Sequence, residues 1–149
     1  MTYIKGIDRN QMCLPEYIED MISEENPVRV IDSFVDSLDM KKLGFQKSQP
    51  AVTGRPACDP KDILKLYIYG YFNKIRSSRK LMDECQRNIE LFFLLKRLTP
   101  DFRTIADFRK DNADSIHMVF LEFTRLCIKL KLYSRELFRS EERRVGKEC

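Results

Sequence analysis

The chain is short of the residues from which metal and redox sites are built. It has one histidine, and its five cysteines (Cys13, Cys58, Cys85, Cys127 and Cys149) are scattered with no C-x-x-C pair among them. Zinc sites draw on closely spaced cysteines and histidines, so none is expected here. Cys85 and Cys127 fall inside helical apolar patterns and read as small core residues. His117 lies beside an apolar stripe and receives neither a catalytic nor a metal-binding role. No apolar run approaches the roughly 18 residues that a membrane span requires. The opening residues, Met1-Thr2-Tyr3-Ile4-Lys5-Gly6-Ile7-Asp8, lack the apolar stretch and small-residue cleavage site of a signal peptide. The default compartment is therefore the cytoplasm, where thiols stay free. No internal repeat interrupts the reading.

What is present suits one helical domain. The chain has 149 residues, 43% of them hydrophobic and 34% charged, which is enough for one ordinary core. Its net charge of +4 is unevenly spread. Residues 1–43 hold 5 Lys/Arg against 9 Asp/Glu, whereas residues 44–112 hold 14 against 8. A net of −4 thus gives way to +6, and the basic middle of the chain favours polyanions through steering and counterion release. A plain solvated helix face accounts for an excess of this size equally well.

Periodicity of three and four residues predicts helices almost throughout. A short helix is expected near residues 15–22. Asn26-Pro27 then supplies a cap and a first-turn proline for a helix with Val28, Ile31, Val35 and Leu38 on one face. Residues 45–58 carry Gly and Pro without an apolar stripe and form a loop. Within it, Gly54-Arg55-Pro56 suits either an extended arginine arm for a minor groove or a simple lead into the next helix. Asp59-Pro60 caps a central helix, expected through about Asn73, whose face bears Ile63, Leu64, Tyr67, Ile68, Tyr71, Phe72 and Ile75. Aromatics at that spacing are core residues before they are base-stacking ones.

The stretch from Ile75 to Glu90 restarts the helix behind a serine cap. Leu81, Cys85, Ile89, Phe92, Phe93 and Leu95 are expected to point inward, and Arg76, Arg79, Lys80 and Arg87 to form a cationic rim. Next, Pro100-Asp101 makes a turn and Thr104 is expected to cap a short helix anchored by Ile105 and Phe108. Arg103, Thr104, Arg109 and Lys110 would then face outward, as a helix-turn-helix presents side chains to DNA, with Arg97 just before the turn. A last helix is expected over residues 113–132, with Ile116, Val119, Phe120, Phe123, Leu126, Cys127 and Leu130 on a packing or dimerisation face.

One ordered set of segments resembles a known family. It comprises Gly54-Arg55-Pro56, Asp59-Pro60, Leu64-Lys65-Leu66-Tyr67, Tyr69-Gly70-Tyr71, Ile75-Arg76-Ser77-Ser78-Arg79 and Arg87-Asn88-Ile89-Glu90. Leu98, Pro100-Asp101 and Thr104-Ile105-Ala106-Asp107-Phe108-Arg109 follow, and Asn26-Pro27 and Leu43-Gly44-Phe45 precede them. Together they are similar to the N-terminal domain of bacterial insertion-sequence DDE transposases, over residues 3–132. Cys58 stands where relatives often have tyrosine, and Phe93 where they often have tryptophan.

The resemblance implies an all-α, helix-turn-helix-like domain that recognises the terminal inverted repeats of a mobile element. It implies double-stranded DNA as partner, a homodimer when two element ends are paired, and Arg55, Arg76, Arg79, Lys80, Arg97, Arg103, Thr104, Arg109 and Lys110 as DNA-binding residues. Catalysis would belong to a following RNase H-like domain, whose three carboxylates hold Mg2+ for strand transfer. No residue of this chain is assigned to that triad, and no cofactor is expected in residues 1–138. The sequence is expected to break off before the catalytic domain, near Phe138. Residues 139–149 have no apolar period and resemble the translation of a sequencing-library adapter, so they are expected to be a non-native tail. A helical protein-interaction or dimerisation module without specific DNA binding is the alternative.

Overall fold

The computed structural model describes residues 3–5, 8–10, 17–45 and 58–131. Among them are six α-helices and no strand. They are α1 (Pro27–Asp36), α2 (Pro60–Phe72), α3 (Ser78–Arg87), α4 (Ile89–Leu95), α5 (Phe102–Asp111) and α6 (Ala113–Lys129), preceded by a 3-10 turn over Ile18–Met21. The all-α expectation holds.

Local chemistry sets most of the helix starts. The Asn26 and Asp59 side chains each accept a backbone N–H at 2.9 Å, and Pro27 and Pro60 follow where a missing N–H costs nothing. Ser77 caps α3 and Asn88 caps α4 in the same manner. The expected Thr104 cap is wrong: α5 begins earlier, behind Asp101, and Thr104 lies exposed within its first turns. The stretch expected as one helix from Ser77 onward is two, because Asn88 leaves helical geometry to start α4. That break turns Ile89 outward, 48% exposed, where an inward position was expected. Arg87 does face solvent, yet it is held by the Glu84 carboxylate. Three helices end earlier than expected: α1 at Asp36, before Leu38; α2 at Phe72, before Ile75; and α6 at Lys129, short of residue 132. The loop arm at Arg55, the expected helix start at Pro15 and the tail 139–149 lie outside the described residues.

Helix α2 is the axis of the core. Eight consecutive residues, Ile63 to Gly70, are buried, so it is covered on all sides rather than along one stripe. Helix α1 lies on one flank, held by the buried Lys65 ammonium, which donates to Asp32 at 2.7 Å and reaches Asp36 at 2.9 Å. Burial is the largest single effect and opposes that charge, but the hydrogen bonds Lys65 donates to Asp32 and Asp36, together with their negative charges, outweigh it and raise the Lys65 pKa above its ordinary value. Helix α6 packs against α1 through Phe123 on Phe34, and against the end of α2 through Phe123 on Phe72 and Phe120 stacked on Tyr71 at 4.7 Å.

The end of α2 fixes where α3 begins. Lys74 adopts a left-handed conformation, and the Ile75 N–H returns to the Gly70 carbonyl at 2.7 Å, closing a six-residue helix stop. A side chain on Gly70 would meet the Ile75 carbonyl oxygen at 2.7 Å and Leu81 of α3 at 3.0 Å. Gly70 is thus required by close approach, and Ile75, Arg76 and Ser77 are aimed by it.

Candidate nucleic-acid interface

Helices α3 and α5 pack against each other over α2. Two polar contacts set their register. The Tyr67 hydroxyl, on α2, donates to the Ile105 carbonyl of α5 in a short hydrogen bond and also engages Ser78 at the start of α3. Burial pushes the Tyr67 pKa up, against smaller opposing effects from Ser78 and from the nearby positive charge of Arg109. Tyr67 therefore stays a neutral donor that links α2 to α5 and to the start of α3.

The second contact is aromatic. Phe102, the first residue of α5, carries the Arg79 guanidinium from α3 at 4.8 Å from its ring centre and that of its neighbour Arg103 at 5.8 Å. Both distances fall within the reach of a cation–π interaction. Two expected site residues, Arg79 and Arg103, are thus brought together over one ring on the α3–α5 face, whereas Arg109 and Lys110 lie in the last turn of α5. Arg76 and Lys80 flank Arg79 along the chain and are exposed. Arg103 and Lys110 are seven residues apart, on the same exposed side of α5, with Asp107 between them. Arg97 is placed differently, with its guanidinium over Phe92 of α4 at 5.2 Å, in a left-handed backbone conformation. No contact ties it to the α3–α5 face.

The electrostatics of this face run against helix preference. The first turns of α2, α4 and α6 contain Asp62, Glu90 and Asp114, which suit the positive end of a helix dipole. The first turns of α3 and α5 contain no acid. They carry Arg79, Lys80 and Arg103 instead, where the dipole opposes positive charge. Among the described residues, no carboxylate lies within ion-pair distance of Arg76, Arg79, Lys80, Arg103, Arg109 or Lys110. Arg79, Lys80 and Arg103 thus stand at the disfavoured end of two helices with no ion-pair partner among the described residues, a charge pattern suited to an external polyanion.

Cations elsewhere are used differently. Arg29 pairs with Glu19, donates to the Ser23, Ile22 and Glu19 carbonyls at 2.9, 2.7 and 2.9 Å, and lies over Phe93 at 5.1 Å, tying the 3-10 turn to α1 and α4. Arg87 pairs with Glu84, whose pKa is lowered by hydrogen bonds from Asn88 and then Arg87. Arg125 pairs with Glu122. The Cys85 thiol is pushed up to about 11 by burial and is a core group rather than a nucleophile. Among the described residues no group of three or more His, Cys, Asp and Glu is arranged to hold a metal ion, and no helix is long and apolar enough to cross a membrane.

Phe102 and Lys65 are the two residues that sequence reading missed. Lys65 lies in a sequence stretch that reads only as apolar periodicity, and its partners are some thirty positions upstream. For Phe102 the available signal was its place beside Arg103 directly behind the Pro100-Asp101 turn.

The class the fold defines is an all-α multi-helix domain with exposed arginines in the first turns of α3 and α5. The sequence places it more narrowly: a family model described as Transposase domain (DUF772) matches residues 16–111, which is 96 of the 149, and the chain belongs to that family. The match contains α1 to α5 and with them the whole cationic face. No curated protein and no solved structure matches the chain. Family membership supports a role in transposition.

Proposed function

We propose that this chain is the DNA-recognition part of a DDE transposase and that it binds the terminal inverted repeats of an insertion sequence as double-stranded DNA. The observation that carries the reading is the α3–α5 face, where Arg79 and Arg103 meet over Phe102 at helix starts that disfavour them, with no carboxylate partner among the described residues. We read α3 and α5 as a helix-turn-helix-like pair, with α5 as the helix offered to DNA and Arg76, Lys80 and Lys110 as flanking phosphate contacts. Thr104 takes a lesser place on the exposed side of α5, and Arg97, turned to Phe92, is a separate contact apart from that surface. Arg55 joins as a contact from the preceding loop.

The proposed role is recognition without strand transfer, with residues 1–138 as the recognition unit and residues 139–149 as a foreign tail. Binding then needs no divalent cation, and Mg2+ belongs to the catalytic carboxylates of a separate domain. The test is binding of the full chain to the native element's end sequence and to a shuffled duplex over a salt series, in EDTA. Preference for the end sequence, with affinity falling steeply as salt rises, is expected. Equal affinity for both duplexes would remove the inverted-repeat assignment.

A second reading has its own observation. Helix α6 exposes Met118 (59%), Leu121 (39%) and Ile128 (46%) on one side. Such a stripe suits a homodimer or another helical partner. A Leu121→Lys change that leaves the sedimentation of the chain unaltered would argue against it.

A further inference from the structure

Phe102 has no place in the reading so far beyond its two contacts, yet it is the point at which α3 and α5 share charge. Two guanidinium groups from different helices rest within 6 Å of one phenyl ring, at 4.8 and 5.8 Å. Like charges that close repel each other, and among the described residues no carboxylate neutralises them. The ring offsets that repulsion by attracting each cation to its electron-rich face. It also restrains two long side chains that would otherwise lose freedom only on binding.

The geometry selects a ligand. A guanidinium drawn to one ring keeps N–H donors directed away from it, and the planar guanidinium edge matches two oxygens of a phosphate. The first turn of α5 carries no acid to compete. We infer that Phe102 is a positioning residue that sets Arg79 and Arg103 as a clamp for phosphodiester groups, gripping the DNA backbone rather than reading base edges. This inference rests on the DNA-binding reading above and adds the ligand group and the residue that organises it.

Such a clamp acts alike on every sequence. Phe102→Leu keeps apolar bulk at the half-buried position but removes the ring, whereas Phe102→Tyr keeps the ring. The first change should weaken binding of the full chain to end and shuffled duplexes by the same factor, roughly five- to tenfold, and the second should leave it near wild type. In parallel, the Arg79 and Arg103 Nε–H signals of the wild-type chain should shift on titration with inorganic pyrophosphate, and in Phe102→Leu they should not. Wild-type affinity and salt dependence in folded Phe102→Leu would overturn the clamp, as would a loss confined to the end sequence. Pyrophosphate shifts without any duplex binding would preserve the clamp and defeat the DNA reading. Duplex binding with no pyrophosphate response at either arginine would do the reverse.

Discussion

Along the α1–α2 seam the Lys65 ammonium is buried between Asp32 and Asp36, while on the α3–α5 face Arg79 and Arg103 stand exposed over Phe102 with no carboxylate partner among the described residues. Both arrangements concentrate charge, but they satisfy it from opposite directions. A buried charge must be matched inside the protein, since nothing outside can reach it. The arginines are matched only by an aromatic ring, which leaves their hydrogen-bond donors for a ligand. The first region holds two helices together, and the second presents them.

Breaking the seam should have the largest effect. Replacing Asp32 and Asp36 together by alanine strands the Lys65 charge and should cost about 3–5 kcal/mol in chemical denaturation. Duplex binding by the fraction still folded should be unchanged. A cost below about 1 kcal/mol would mean that Lys65 escapes to solvent in the variant.

Next in size is the junction between the two regions. Gly70→Ala forces a Cβ against the Ile75 carbonyl and Leu81, and should cost about 1–3 kcal/mol. Because Ile75 leads into Arg76 and α3, this change should also weaken DNA binding, unlike the seam variant. Unaltered affinity in the folded protein would separate the α2 stop from the placement of the face.

The seam also has a pH signature. The folded pKa of Lys65 is raised, so its stabilisation is complete below the unfolded lysine value, about 10.4, and is lost as pH climbs through the folded value. Thermal stability should therefore be insensitive to this group near neutrality and decline at alkaline pH. The decline attributable to Lys65 should disappear when both aspartates are removed.

The smallest effect has the opposite sign. Arg79→Glu and Arg103→Glu place acids where the helix dipoles favour them and should each raise stability by roughly 0.3–1 kcal/mol while weakening DNA binding. Loss of stability in both would show that the arginines serve the fold.

What the sequence made legible follows the range of the interactions. Asn26-Pro27 and Asp59-Pro60 declare their helices because a cap and its proline act within three residues. The buried faces of α1 and α6 follow from periodicity for the same reason, whereas the burial of α2 on all sides comes from the helices packed around it. The break at Asn88 was hidden because Leu81, Cys85 and the following apolar residues keep helical spacing across it, and only packing turns Ile89 outward. Thr104 read as a cap by residue type, whereas Pro100-Asp101 had already started the helix. The cationic residues were visible as a set, but nothing local distinguishes Arg79, which joins α5 through Phe102, from Arg97, which turns to Phe92. That distinction depends on rings brought near by tertiary packing.

The central claim is that charge left open on the α3–α5 face is there for DNA. Two double variants remove the same charge from different settings: Arg79→Gln/Arg103→Gln from the open face, and Arg87→Gln/Arg125→Gln from exposed ion pairs. Duplex affinity of each full-length variant, measured over a salt series, compares them directly. Loss of two phosphate contacts should flatten the slope of log affinity against log salt by about 1.8 in the first variant, with the wild-type slope retained in the second. Equal slopes in the two variants would contradict the account.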